Sequence, residues 1–274
     1  MSFSTLLGRK RLFWIVIGAV SLLTLTLRTL SLIFHLDAEI GYFVEGAALP
    51  VVVRVFEILA LLLCFAPFFL LRGDQASELT APNLAERICI GIAAAGLLVP
   101  IVYFILQPTP LPAPGALGVL AAIALLMGVI HFLLLIRHRT ESAALFGYGV
   151  ILGAVLLLSI TYFDRYTQMN APHKVSVHLC MLSVMLCMVF LIRPLIGCAR
   201  PVGQTAVTAI CLFCTVTYGG SNLIGFIAGV YTSPLYLSID VAALCFAVYL
   251  AGRVTVSLIN PAVPTTPVET EEEA

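Results

Sequence analysis

Residues 116–136 read ALGVLAAIALLMGVIHFLLLI, with no aspartate, glutamate, lysine or arginine among them. A helix rises about 1.5 Å per residue, so this stretch is about 30 Å long, the thickness of a bilayer's hydrocarbon core. The stretch is continuously apolar, whereas a strand of a membrane β-barrel alternates apolar and polar residues. It therefore predicts a transmembrane α-helix.

Apolar segments of similar length recur on both sides of this stretch. Together they predict an all-α membrane protein, a polytopic bundle of about eight transmembrane helices. We treat residues 1–258 as one transmembrane helical domain and residues 259–274, which are Pro/Thr-rich and then acidic, as a disordered cytoplasmic tail. The predicted helices cover residues 12–34, 47–71, 88–106, 116–136, 143–163, 175–196, 204–230 and 235–252.

The composition of the chain agrees with a membrane location. Hydrophobic residues make up 61% of the 274 residues and charged residues 10%, whereas soluble domains carry roughly 25% charged residues. So little charge cannot cover the surface of a soluble globule, and the lipid bilayer is the predicted surrounding. The formal net charge is zero, so no basic surface favours nucleic acid as a partner.

The eight cysteines lie within or beside apolar segments. None falls in a predicted outer loop, which favours free thiols over a disulfide framework. Cys211 and Cys214 form a CxxC sequence on one helix face, and we interpret them as small packing residues.

Basic residues in the loops predict the orientation, because they are enriched on the cytoplasmic side of membrane proteins. With the N-terminus inside, ten basic residues face the cytoplasm, two (Arg165 and Lys174) face outward, and the other two of the 14 (Arg28 and Arg54) lie deeper in the membrane. An even number of helices then returns the C-terminus to the cytoplasm. The predicted cytoplasmic set is Arg9, Lys10, Arg11, Arg72, Arg87, Arg137, Arg139, Arg193, Arg200 and Arg253.

Few charges lie within the predicted helices, and each costs roughly 2.5–3.5 kcal/mol at mid-helix on the insertion scale. These residues and one polar neighbour all fall in the outer half of the bilayer, at similar depth. The pattern predicts one ligand-binding cluster that opens outward, with Arg54 paired to Glu57 and Arg28 paired to Asp240. Its members are Arg28, Arg54, Glu57, Asn222 and Asp240.

The predicted loop between helices five and six adds polar groups above this cluster. We place Asp164, Asn170 and Lys174 in the candidate site, as part of a lid. His35 and His173 are expected at the outer borders of their helices, where neither needs a metal. The seventh helix contains Gly219-Gly220-Ser221-Asn222, which makes it the one candidate for a broken helix.

A structural interpretation of the same charges stays open. Arg28 and Arg54 lie about 10 Å from the outer ends of their helices, so both side chains can snorkel to the headgroups. The pair of Arg54 and Glu57 can also serve only to tie two helices together.

The segment 162–174, YFDRYTQMNAPHK, resembles a segment of uncharacterised multi-pass membrane proteins of Gram-positive bacteria that share a Phe-Asp…Met-Asn-x-Pro pattern. The resemblance covers about a dozen residues. It implies the same type of helical bundle in a bacterial plasma membrane. It draws attention to Asp164, Asn170 and Lys174 and implies no activity.

No sequence motif in the chain predicts a particular chemical reaction. The chain has no HExxH, GxSxG, phosphate-binding loop or dinucleotide glycine fingerprint, so neither a cofactor nor a metal is predicted. Three hypotheses follow. The first is a bundle that binds or moves a small anionic or zwitterionic solute or a lipid headgroup, with Arg28 and Arg54 meeting the anion. The second is a structural or regulatory subunit of a membrane complex, whose protein partners the sequence does not name. The third, less favoured, is an enzyme acting on an outer-leaflet lipid, with Asp164 or His178 as base.

Overall fold

The computed structural model of the chain describes residues 3–37, 41–71, 81–106, 115–138, 140–165 and 167–259. In these residues, eight helical spans are long and apolar enough to cross a membrane. The prediction of an all-α, eight-helix membrane bundle is confirmed. The residues of the predicted tail from 260 to 274 lie outside the described part of the chain, as do Arg72 and Arg139 of the predicted cytoplasmic set.

The helices follow one another with short connections and one small hairpin. In chain order they are α1 (Phe3–His35), β1 (Leu36–Asp37), β2 (Tyr42–Phe43), α2 (Ala48–Leu63), α3 (Pro67–Leu70), α4 (Leu84–Leu106), α5 (Gly115–Ile136), α6 (Thr140–Tyr162), α7 (Pro172–Leu195), α8 (Pro201–Cys214), a π-helical turn (Thr215–Gly219), α9 (Gly220–Ile227) and α10 (Pro234–Ile259). The antiparallel hairpin pairs Leu36 with Phe43 and Asp37 with Tyr42.

The centre of the bundle is formed by α7, α10 and the span Pro201–Ile227. In the span Pro201–Ile227, 61% of the apolar stretch is buried inside the bundle, whereas in the span Ala48–Leu70 the buried share is 22%. The second span therefore lies at the periphery, where it packs mainly against α1. Apolar side chains along α2 face outward, as expected for a helix in contact with lipid.

Glycines allow the closest helix contacts, as is common where helices pack within a membrane. A Cβ atom on Gly149 of α6 would lie 2.8 Å from the carbonyl oxygen of Ala124 on α5. Between α4 and α10, Gly96 lies against the side chain of Cys245, and Gly252 lies against the side chain of Cys89. The helix pairs α5–α6 and α4–α10 are therefore held at a distance that only small residues permit.

The seventh span is continuous, and the predicted break is replaced by the π-helical turn. Thr215, the first residue of the turn, donates its hydroxyl hydrogen bond to the carbonyl oxygen of Cys211 at 2.6 Å. Such back-bonding competes with the backbone ladder of a helix. The turn places Gly219 against α10 and Gly220 against Leu25 of α1, so three helices meet closely at this level.

Candidate functional site

Buried polar side chains gather at the end of the bundle where α1 ends and α7 and α10 begin. Charged side chains are almost never fully buried in proteins unless they have partners, and here they are bonded to one another across several helices. We call this group the polar cluster. Its members are the half-buried Glu57 of α2 and six buried residues: Arg28 of α1, His173 and Ser176 of α7, Ser221 and Asn222 of α9, and Asp240 of α10.

Arg28 connects the peripheral helix to the centre of the bundle. Its Nη1 donates to Glu57 Oε1 at 2.8 Å, and its Nε donates to the hydroxyl of Ser221 at 3.1 Å. Its guanidinium carbon also lies 4.7 Å from the ring centroid of Tyr218 in the π-helical turn, a cation–π arrangement. Arg28 is 7% exposed, so its charge is stabilised mainly by these groups.

Asp240 is the most deeply buried acid of the cluster, with 1% of its surface exposed. Its Oδ1 accepts a hydrogen bond from Asn222 Nδ2 at 3.1 Å, and its Oδ2 lies 3.2 Å from Nε2 of His173. Asn222 also donates to the hydroxyl of Ser176 at 3.0 Å. Both oxygens of the carboxylate therefore have a partner from another helix.

The ring of His173 lies between two tyrosines. It stacks on Tyr231 with ring centroids 4.0 Å apart and an interplanar angle of 24°, and it lies 4.8 Å from Tyr236. The hydroxyl of Tyr236 donates to Asp164 Oδ2 at 3.1 Å. Tyr236 thus joins the polar cluster to the loop that follows α6.

Lys174 holds that loop in place from the first turn of α7. Its Nζ donates to the carbonyl oxygens of Asp164 at 2.9 Å and Thr167 at 3.2 Å, and the side chain is 1% exposed. Thr167 in turn donates to Asp164 Oδ2 at 2.8 Å. The loop is therefore tied to α7 and α10 directly above the cluster.

The structure brings together only some of the residues predicted for the site. Arg28, Glu57, Asn222 and Asp240 are members of the polar cluster, and Asp164 and Lys174 adjoin it through Tyr236. The other two predicted site residues, Arg54 and Asn170, are exposed and lie outside it.

Both predicted ion pairs are wrong. Glu57 pairs with Arg28 instead of Arg54, and Asp240 bonds to His173 and Asn222 instead of Arg28. The reason is the rotation of α2, which packs beside α1. Glu57 turns toward that helix, whereas Arg54 is exposed on the surface.

Several residues of the site were not predicted from the sequence. The sequence places His173 at a helix border and outside the candidate site, yet the side chain is 6% exposed and bonded to Asp240. Ser176 follows His173 at a spacing of three, which places both on one face of α7. That spacing is a sequence signal that could have pointed to these two residues. Ser221, Tyr231 and Tyr236 carry no comparable signal.

An apolar crevice lies elsewhere in the bundle, between α4, α5, α6, α7 and α10. Leu97, Leu125, Met181, Ile239 and Phe246 are among its lining residues. It offers no charged group, so it does not share the chemistry of the polar cluster.

Metal-binding chemistry is not apparent in the described ranges, where no three histidine, cysteine, aspartate or glutamate side chains are grouped to hold an ion. All eight cysteines fall in these ranges as free thiols. Two residues are the candidate bases of an enzyme. Asp164 accepts hydrogen bonds from Thr167 and Tyr236, whereas Nε2 of His178 lies 3.1 Å from the hydroxyl of Thr161.

Comparison of the chain with protein-family models, curated proteins and solved structures found no match.

Proposed function

We propose that this integral membrane protein binds, and moves across the membrane, a small solute with an anionic group, and that the polar cluster is its binding site. The supporting observation is that two largely buried pairs, Arg28 with Glu57 and His173 with Asp240, lie together at one end of a bundle of mostly apolar helices. Intramembrane ionisable residues of this kind mark solute and ion pathways in many membrane proteins.

Stability alone is a weak reason to keep such a network. Burying an ion pair costs several kcal/mol of desolvation per ion, and apolar replacements of similar volume are often as stable or more stable. Arg28 and Glu57 therefore point to a function that requires charge. A ligand that meets Arg28 would supply that function.

Unpartnered hydroxyl groups near the cluster support a ligand site. Within the described residues, the buried side-chain oxygens that have no hydrogen-bond partner are those of Thr29, Ser31 and Tyr231. Thr29 and Ser31 are within three residues of Arg28, and Tyr231 stacks on His173. Buried polar groups are nearly always bonded in proteins, so these hydroxyls are candidates to bond a ligand.

The chemistry of the cluster favours an anionic or zwitterionic solute, or a lipid headgroup of the same chemistry. The guanidinium of Arg28 can bind a carboxylate or phosphate in a bidentate manner. Asp240 offers a carboxylate for an ammonium group at the other end of a zwitterion.

The proposed site faces outward from a bacterial plasma membrane, with both termini in the cytoplasm. The support comes from the distribution of basic residues. Lys10, Arg87, Arg193 and Arg253 lie near helix ends opposite to the polar cluster, the side expected to face the cytoplasm.

Native mass spectrometry of the full chain in mild detergent tests the proposal. We expect wild-type protein to retain a small molecule, and Arg28→Gln to lose it while staying folded. Arg54→Gln is the matched control, since Arg54 is exposed, and it should retain the molecule. If wild type retains nothing while Arg28→Gln only lowers thermal stability, the proposal is contradicted.

The second candidate function is that of a structural or regulatory subunit. It is favoured by one observation, the exposed Arg54 on the peripheral helix α2, because a charge on a lipid-facing surface can meet an acid of a neighbouring membrane protein. Co-purification of a partner with wild type that is lost with Arg54→Gln would support this function over the first.

A further inference from the structure

The charges of the polar cluster and its surroundings do not sum to zero when histidine is neutral. Arg28 and Glu57 compensate each other at 2.8 Å. Lys174 and Asp164 also carry opposite charges that attract each other in the adjoining loop, where the ammonium group donates to the backbone carbonyl oxygen of Asp164 at 2.9 Å. Asp240 is then the one acid of this network without a permanent positive partner.

The other titratable groups that face Asp240 and His173 bring no compensating charge. The hydroxyl of Tyr236 donates to Asp164, and the thiol of Cys180 donates to the carbonyl oxygen of Cys214 at 3.3 Å. Burial raises the pKa of Tyr231, so its phenol stays protonated. All three are neutral, and the network as a whole carries one negative charge.

His173 is placed to remove that charge. Its Nε2 lies 3.2 Å from Asp240 Oδ2, its ring is enclosed by Tyr231 and Tyr236, and both members of the pair are less than a tenth exposed. One added proton makes the pair neutral in either of two ways. The proton gives an imidazolium beside a carboxylate, or an imidazole beside a carboxylic acid.

We infer that His173 and Asp240 together form a binding site for one proton, which is taken up from water and is moved with the solute. The role of the proton as a coupling ion rests on the proposed function, whereas its presence on the pair does not. A buried carboxylate is stabilised once the pair is neutral, and chains of aspartate and histidine carry protons in membrane pumps and transporters. The other hydrogen bond of Asp240, from Asn222, keeps its carboxylate facing His173.

The proton can be observed without knowing the solute. Full-length protein labelled with ¹⁵N-histidine and ¹³C-aspartate is placed in lipid nanodiscs and studied by solid-state NMR and infrared spectroscopy from about pH 5 to pH 9, the range around ordinary histidine titration. The His173 signal is assigned by its loss in His173→Gln. If that variant does not fold, it is assigned by elimination with variants of the other four histidines.

At about pH 7, above the ordinary histidine pKa, we expect one proton on the pair in wild type. It appears either as an imidazolium pattern for His173 or as a protonated carboxyl signal for Asp240. Where wild type shows the imidazolium pattern, the titration of His173 should shift in Asp240→Asn, while that of His178, which bonds to Thr161, should stay unchanged.

A neutral His173 beside an ionised Asp240 at this pH in wild type would overturn the proton site, and that result needs no variant. Where wild type shows the imidazolium pattern, an unchanged His173 titration in Asp240→Asn would overturn it as well. These failures differ from failure of the proposed function, in which the pair holds its proton but mass spectrometry finds no retained solute.

Discussion

At the residue scale, two arginines of adjacent helices differ sharply in surroundings. Arg28 is 7% exposed and bonds to Glu57 and Ser221, whereas Arg54 is exposed on α2. We predict that Arg28→Gln lowers the free energy of unfolding by about 2–4 kcal/mol, because it leaves Glu57 with an uncompensated and largely buried charge.

The matched variant Arg54→Gln should change the same quantity by no more than about 0.5 kcal/mol, as surface substitutions usually do. Unfolding in detergent, followed by circular dichroism, measures both. Equal losses for the two variants would show that the surroundings of the two arginines do not differ in this way.

Lys174 gives a second prediction at this scale. Lys174→Met removes the donor to the carbonyl oxygens of Asp164 and Thr167, so the loop above the cluster should open more often. A thiol placed by Asn170→Cys, in a background where the exposed Cys198 is changed to serine, should react faster with a maleimide. The same background with Arg165→Met, an exposed residue of the same loop, serves as control. Equal labelling rates with Lys174→Met and Arg165→Met would contradict the role of Lys174.

The burial of a charged residue is easier to predict from the sequence than the identity of its partner. Depth along a helix can be counted from its apolar ends, which placed Arg28, Glu57 and Asp240 at one level. Pairing depends on how each helix is rotated against its neighbours, and a single sequence does not carry that information. His173 was missed for a related reason. It lies in the first turn of a helix, and the burial of such a residue depends on the neighbouring segments that pack over it.

At the element scale, the contact of α5 with α6 depends on glycine. A Cβ at Gly149 would lie 2.8 Å from the carbonyl oxygen of Ala124, and backbone cannot yield as a flexible side chain does. We predict that Gly149→Ala destabilises the protein by about 1–3 kcal/mol through overpacking. Gly18→Ala on α1, where nothing lies within 4 Å of the added carbon, should be neutral or stabilising by up to about 1 kcal/mol. In detergent, the melting temperature of Gly149→Ala should fall and that of Gly18→Ala should stay the same or rise, and a parallel fall would contradict the prediction.

The elements themselves were largely predictable because apolar length is a strong signal in a membrane protein. The π-helical turn was not, because it arises from contacts with α1 and α10 as much as from Thr215 and the glycines. The start of α1 at Phe3, well before the predicted start at residue 12, has a different cause. Helical structure continues through the basic residues 9–11, beyond the apolar stretch that the prediction used.

At the scale of the whole molecule, the orientation is testable by labelling from each side of the membrane. Cysteines placed by Arg165→Cys, in the loop above the cluster, and by Arg137→Cys, after α5, lie at opposite ends of the bundle. In intact cells of a Cys198→Ser background, we predict that an impermeant maleimide labels the first and spares the second. Labelling of Arg137→Cys alone would reverse the orientation and turn the cluster toward the cytoplasm.

The central claim is that the charges of the polar cluster serve a ligand and do not serve to hold the helices together. Thermal unfolding of Arg28→Met, Glu57→Met and the double variant in ligand-free detergent tests it most directly. The claim predicts that each single variant is destabilised, because the remaining member of the ion pair keeps its charge and has lost its partner. It also predicts that the double variant recovers at least wild-type stability, because an apolar pair replaces a costly ion pair. A double variant less stable than either single variant would show that Arg28 and Glu57 hold the bundle together and would contradict the claim.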